Sequence, residues 1–207
     1  MRAALALLAV LASLLLAGLF ADTATADAPN LDLHSSGKSA VAIYRPTPTS
    51  TLTVVGADLV SQTGEPRRYL AGIGIQEDAC PDCLRVPLRL LEASAEFDSP
   101  QLHGSVTGAR LDVTLPVTYC VLSTCPTSIR VSLVWEPSGQ PIRDTNSTRT
   151  ETQDCKFTRV TRFAYADATP TGLVSDGTTN LASGQGTGNV LEQSTRIVGF
   201  GDPHVCL

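Results

Sequence analysis

Leu111-Asp112-Val113-Thr114-Leu115-Pro116-Val117-Thr118-Tyr119, with Ile129-Arg130-Val131-Ser132-Leu133-Val134-Trp135-Glu136 after a turn-like segment, is the stretch that decides the fold. Side chains along a strand alternate between two faces, so each run sends its large apolar groups to one side. Pairing Val117 with Val131 and Leu115 with Leu133 puts both sets on one face of a hairpin. The reading predicts that Leu133 and Trp135 are buried and that Thr114, Arg130 and Ser132 look away. Pro116 cannot donate to a ladder, so its strand is expected to be at an edge or bulged there.

Around this hairpin the chain reads as a series of strands. Ala40 to Arg45, Leu52 to Val60 and Arg68 to Gln76 are separated by Pro46, Pro48 and the Gly64-Glu65-Pro66 turn. Leu84, Val86, Leu88 and Leu90 alternate with Arg85, Pro87, Arg89 and Leu91 and predict a fourth strand. A helix over Leu84 to Phe97 is the rival there, on the strength of good helix formers. Residues from Ser138 to Arg149 read as a polar loop, and Phe157 to Ala166 and Val190 to Phe200 as strands. Asp176-Gly177 is a hairpin turn signal. About ten short strands with frequent turns predict an all-β fold, an antiparallel β-sandwich or jelly roll, in one domain over residues 40–207.

The N-terminus reads as a signal peptide. Arg2 is followed by an apolar run from Ala3 to Phe20, and Ala24-Thr25-Ala26 supplies the small residues of a cleavage site. Residues 1–26 are therefore expected to be removed and residues 27–39 to form a mobile leader. An uncleaved membrane anchor is the alternative that the length permits. After cleavage no later segment is expected to enter a membrane, and the product is expected to be secreted. Net charge is −5, from 20 acidic and 15 basic residues. No basic stripe of the kind that binds nucleic acid is present.

Six cysteines in an exported chain read first as disulfides. Fifteen connectivities are possible, and local closure favours Cys80–Cys83, Cys120–Cys125 across the hairpin tip, and Cys155–Cys206. Cys80-x-x-Cys83 with Cys120-x4-Cys125 is also a zinc pattern, although its second spacing is wide. A thioredoxin-type pair would need a βαβ setting that Cys80 lacks. His34, His103 and His204 are the histidines, and neither a Gly-x-Ser-x-Gly elbow nor a His-Glu-x-x-His helix accompanies them. Asp176 and Asn180, in Ser175-Asp176-Gly177-Thr178-Thr179-Asn180, are weak candidates for binding a cation through oxygen. The loop lacks the acidic density of a calcium site. No motif asks for a cofactor.

From Leu133 to Asn180 the order of motifs resembles a group of secreted bacterial β-rich proteins with no established function. It runs Leu-Val-Trp, a polar loop, Asp154-Cys155, an Arg-rich strand ending Arg162-Phe163-Ala164-Tyr165-Ala166, then Gly172-Leu173-Val174 and Ser175-Asp176-Gly177-Thr178-Thr179-Asn180. The resemblance lies mainly in the C-terminal half. It implies export and a β fold and carries no active site.

Three functional expectations follow. The first is a non-enzymatic exported module that binds an extracellular partner or contributes to the cell exterior. The second is a secreted hydrolase, which needs His103 or His204 beside a carboxylate and a nucleophile. The third is an inhibitor or effector presenting the loop Cys120-Val121-Leu122-Ser123-Thr124-Cys125, which requires an exposed, disulfide-closed tip.

Overall fold

The computed structural model describes residues 31–60, 65–77, 88–151 and 156–200. These residues form ten strands and no helix: β1 (Leu31–Thr47), β2 (Ser50–Val60), β3 (Arg68–Glu77), β4 (Leu88–Phe97), β5 (Leu102–Ser105), β6 (Gly108–Cys120), β7 (Ser128–Pro137), β8 (Ile142–Glu151), β9 (Lys156–Ser175) and β10 (Thr187–Phe200). All pair antiparallel within one sheet.

The pairing closes on itself. Neighbours run β10-β1-β2-β3-β4-β6-β7-β9, and β10 also pairs with β9. The two remaining strands extend existing staves. β7 pairs with Ala168–Ser175 of β9 and β8 with Lys156–Tyr165, on the same side of β9 and in the same direction. β5 likewise continues β4 along β6. The result is an up-and-down ring of eight staves, each bonded to its neighbours in sequence. The expected all-β antiparallel class holds, and the hydrogen bonds make one cyclic sheet.

An eight-stave ring encloses little more than its own side chains. Here Leu52, Val54, Leu111, Leu115, Ile129, Val131, Leu133 and Trp135 fill the interior, together with the small residues Ala40, Ala42, Ala93, Ala164 and Ala166. Trp135 is completely buried, and its Nε1 donates to the Val41 carbonyl oxygen at 2.8 Å. The seven inward side chains of the β6–β7 hairpin from Leu111 to Trp135 contribute roughly 10–20 kcal/mol of gross burial energy. The β5–β6 hairpin closes the lower end: Leu102 and Val106 are fully buried, and β5 packs against β1, β2 and β10. Lys38 Nζ donates to the Gly104 carbonyl oxygen at 3.4 Å and lies 3.9 Å from the buried carboxylate of Asp58. Asp58 also accepts from Arg67 Nη1 at 3.2 Å and 3.3 Å.

Five expectations are corrected. β1 begins at Leu31, not Ala40, so residues 31–39 of the expected leader lie in the sheet, between β10 and β2. The central hairpin pairs Leu111 with Leu133, Val113 with Val131 and Leu115 with Ile129, four residues away from the expected register. The Cys120–Cys125 bond fixes the tip, and a register joining Val117 to Val131 would set Cys120 opposite residue 128. An even slip keeps the same faces, so Leu133 and Trp135 are buried, Thr114 and Arg130 are exposed and Ser132 is half-buried. In β4 the core residues are Leu91 and Ala93: a bulge at Leu90 moves the inward face from even to odd positions, and Leu88, opposite Glu77 at the start of the strand, is exposed. The expected loop from Ser138 contains β8, whose side chains are almost all exposed. The Asp176-Gly177 turn is present, with Gly177 at φ +97°, but beyond it only the Ser175–Asn180 bridge forms before β10.

Pro116 behaves as expected. The Val117 N–H donates to Thr127 on the β7 side at 3.1 Å, so the nitrogen of Pro116 faces β4. Pro116 pairs with Ser128 of β7, while the β4–β6 ladder stops at Val117, so β6 is locally an edge on the β4 side at that position.

Candidate functional site

The end of the β6–β7 hairpin is the most sharply built feature of the described surface. Cys120 and Cys125 are bonded, with Cα atoms 5.9 Å apart. Cys120 packs against the core cluster and pairs with Leu91, and the Val121 N–H donates to the Leu90 carbonyl oxygen at 3.0 Å. The loop is thus tied across its base and to the adjoining stave. Closing so short a loop restricts the unfolded chain enough to add about 2 kcal/mol on the loop-entropy estimate.

What this base holds out is apolar. Val121 is 51% exposed, Tyr119 42% and Leu122 38%, and Leu88 at the adjacent start of β4 is 55% exposed. Ser123 and Thr124 are exposed beside them. The cysteine pair pointed to this loop from sequence. Leu88 was placed in the core by simple alternation, and it is exposed because it opens β4 opposite Glu77, beyond the last buried rung, Ile75 with Leu91.

Asp176 and Asn180 are committed to their own turn. One Asp176 carboxylate oxygen accepts from the Thr178 N–H at 2.8 Å, the Thr178 hydroxyl at 2.9 Å and the Thr179 N–H at 2.7 Å. The Thr178 and Thr179 backbone donors lower its pKa below the ordinary aspartate value. Asn180 Oδ1 accepts from the Val174 and Ala182 N–H groups at 3.3 Å and 3.1 Å. These bonds shape the loop between β9 and β10 and engage one oxygen each of Asp176 and Asn180. Among the described residues no three His, Cys, Asp or Glu side chains form a metal-binding group.

His103 is exposed beside Arg110 on the β5–β6 hairpin, and among the described residues no hydrogen bond links it to a carboxylate or hydroxyl. His34 lies elsewhere, with Nδ1 3.3 Å from the Thr195 carbonyl oxygen. His204, Cys80, Cys83, Cys155 and Cys206 lie outside the described residues, with the zinc pattern and the other two expected disulfides. The chain matches no family model, no curated protein and no solved structure. Its functional reading therefore rests on its own residues.

Proposed function

We propose that this is an exported binding protein that presents the disulfide-closed tip of its β6–β7 hairpin to an extracellular partner with an apolar cleft. The observation that carries the reading is the pairing of a rigid base with exposed apolar residues: Cys120–Cys125 below, Tyr119, Val121 and Leu122 above. A loop fixed before binding loses less conformational freedom on binding, so more of its contact energy becomes affinity. The disulfide is consistent with an oxidising compartment, as the signal-like N-terminus implies. The resemblance to secreted β-rich proteins supports the same location.

The test places a photo-crosslinking residue at Val121 in the exported chain, and a control at Thr114 on the outer wall. A discrete adduct from position 121 alone, abolished by Leu122→Asp in a variant with unchanged melting temperature, is the expected result. Equal adducts from both positions, or none from the tip, would overturn the proposal. N-terminal sequencing of the exported protein checks the location, with Asp27 as the expected first residue.

A further inference from the structure

The described ion pairs occupy six arginines: Arg67, Arg68, Arg89, Arg110, Arg149 and Arg196. Arg143 and Arg162 belong to none of them and make no hydrogen bond among the described residues, although the chain carries an excess of acid. Both are exposed, and both line one open groove of about 530 Å³ between β8, β9 and β10.

The register sets their neighbours. Arg143, Ala164 and Glu192 stand in one cross-strand row, and Thr145, Arg162 and Ser194 in the next, all on one face. Arg143 and Arg162 are diagonal neighbours, roughly 7–8 Å apart at the backbone, a gap that long side chains can close. Glu192 is two strands from Arg143, about 10 Å, with the buried Ala164 between them. Within that row the small Ala164 separates the carboxylate from Arg143, whereas Glu192 is a diagonal neighbour of Arg162, at the spacing that also separates Arg162 from Arg143. Asp144, on the groove's edge, turns one oxygen to the Thr145 N–H at 2.7 Å. The two arginines therefore stand as diagonal neighbours on one face, with Thr145 and Ser194 beside Arg162 in its cross-strand row.

We propose that this groove binds an oxyanion, a phosphate, sulfate or carboxylate group, between Arg143 and Arg162. Each guanidinium presents a planar fork that matches two oxygens of such a group, and the flanking hydroxyls donate to the others. Glu192, diagonal to Arg162, selects for a single anionic group and against a densely charged polymer. The groove lies beyond the lower end of β7, away from the hairpin tip, so this site does not depend on the reading of the tip.

Inorganic phosphate, sulfate and acetate are titrated separately into the full exported chain at constant ionic strength, followed by calorimetry and by the arginine Nε–H resonances. The expected result is saturable binding of at least one of them, with the Arg143 and Arg162 resonances shifting. The three arms separate tetrahedral from planar anions. Arg143→Gln and Arg162→Gln should each weaken that binding about tenfold or more, as loss of a charge-assisted hydrogen bond does. Arg130→Gln and Arg159→Gln, on exposed arginines outside the groove, should leave it unchanged. Both substituted groove residues are exposed, so unchanged melting temperatures are expected to accompany the loss. Absence of saturation by all three anions, or equal binding by the Arg143→Gln, Arg162→Gln double variant, would overturn the proposal.

Discussion

Tyr165 shows how much a single outward side chain on β9 can be tuned by its surroundings. Its hydroxyl donates to the Asp167 carboxylate. Partial burial, and then that carboxylate, push its pKa up to about 12. The unfolded chain would ionise it near pH ~10. Folding thus favours the neutral phenol, and the resulting stability is complete below pH ~10 and disappears as pH rises through the folded value. A near-ultraviolet titration should show a late phenolate component that Tyr165→Phe removes. Ionisation of Tyr165 alongside free tyrosine would contradict the assignment. Tyr44 also has its pKa raised by burial, so the comparison with Tyr165→Phe is needed to assign the component. None of this was legible in sequence, since Asp167 two residues along is an ordinary strand neighbour until both side chains are seen to meet.

At the scale of elements, the sequence was most informative where one face of a strand is buried. The inward sets of β6 and β7 follow strict alternation and were read correctly, as was the break at Pro116. The reading failed where backbone hydrogen bonds do the work without apolar side chains. β8, Ile142-Arg143-Asp144-Thr145-Asn146-Ser147-Thr148-Arg149-Thr150-Glu151, pairs along its length with β9 while exposing almost every side chain. It therefore carries no hydrophobic period. β4 failed differently, because one bulge residue turns the remainder of a strand over. The β5–β6 hairpin offers a direct test of the lower closure. Gly104 adopts φ +97°, and a Cβ there would sit 2.1 Å from the Gly108 carbonyl oxygen, so the turn is tight. Val106 at that turn is buried in the common core cluster. Val106→Ala should lower unfolding free energy by about 2 kcal/mol, the sum of lost burial and a residual cavity. Thr107→Ala, on the adjoining exposed residue, should change it by less than about 0.5 kcal/mol. Equal denaturation midpoints for the two variants would show that the hairpin is not seated in the ring.

At the scale of the whole molecule, the ring accounts for where the candidate sites sit. The apolar interior is filled by side chains from every stave, so recognition falls to the rims and the outer wall. The tip loop occupies one rim, and the arginine groove lies towards the opposite end, where β8, β9 and β10 run past the β5–β6 closure. The sequence announced the tip through its cysteines. It was silent on the groove, because Arg143 and Arg162 are 19 positions apart and become neighbours only through the β8–β9 register.

The closing ladder has a consequence for the order of assembly. Every other ladder in the ring joins staves that follow one another along the chain, whereas β1 and β10 meet across most of it, with Leu31 opposite Gly199. Long loops make contact slowly, so this seam should form last and set the folding rate. The geometry also places the two ends of the described chain side by side. A circular permutant that links residue 31 to residue 200 through a short Gly-Ser bridge and opens the chain beside the exposed Gly139 would turn the seam into a hairpin. The distant meeting would then fall to β7 and β9. Such a permutant should reach the same sheet by a different route. Stopped-flow refolding should show substitutions along β1–β10 losing their effect on the folding rate, and those along β7–β9 acquiring one. Unchanged sensitivities in the permutant would mean that nucleation, not ring closure, sets the pace.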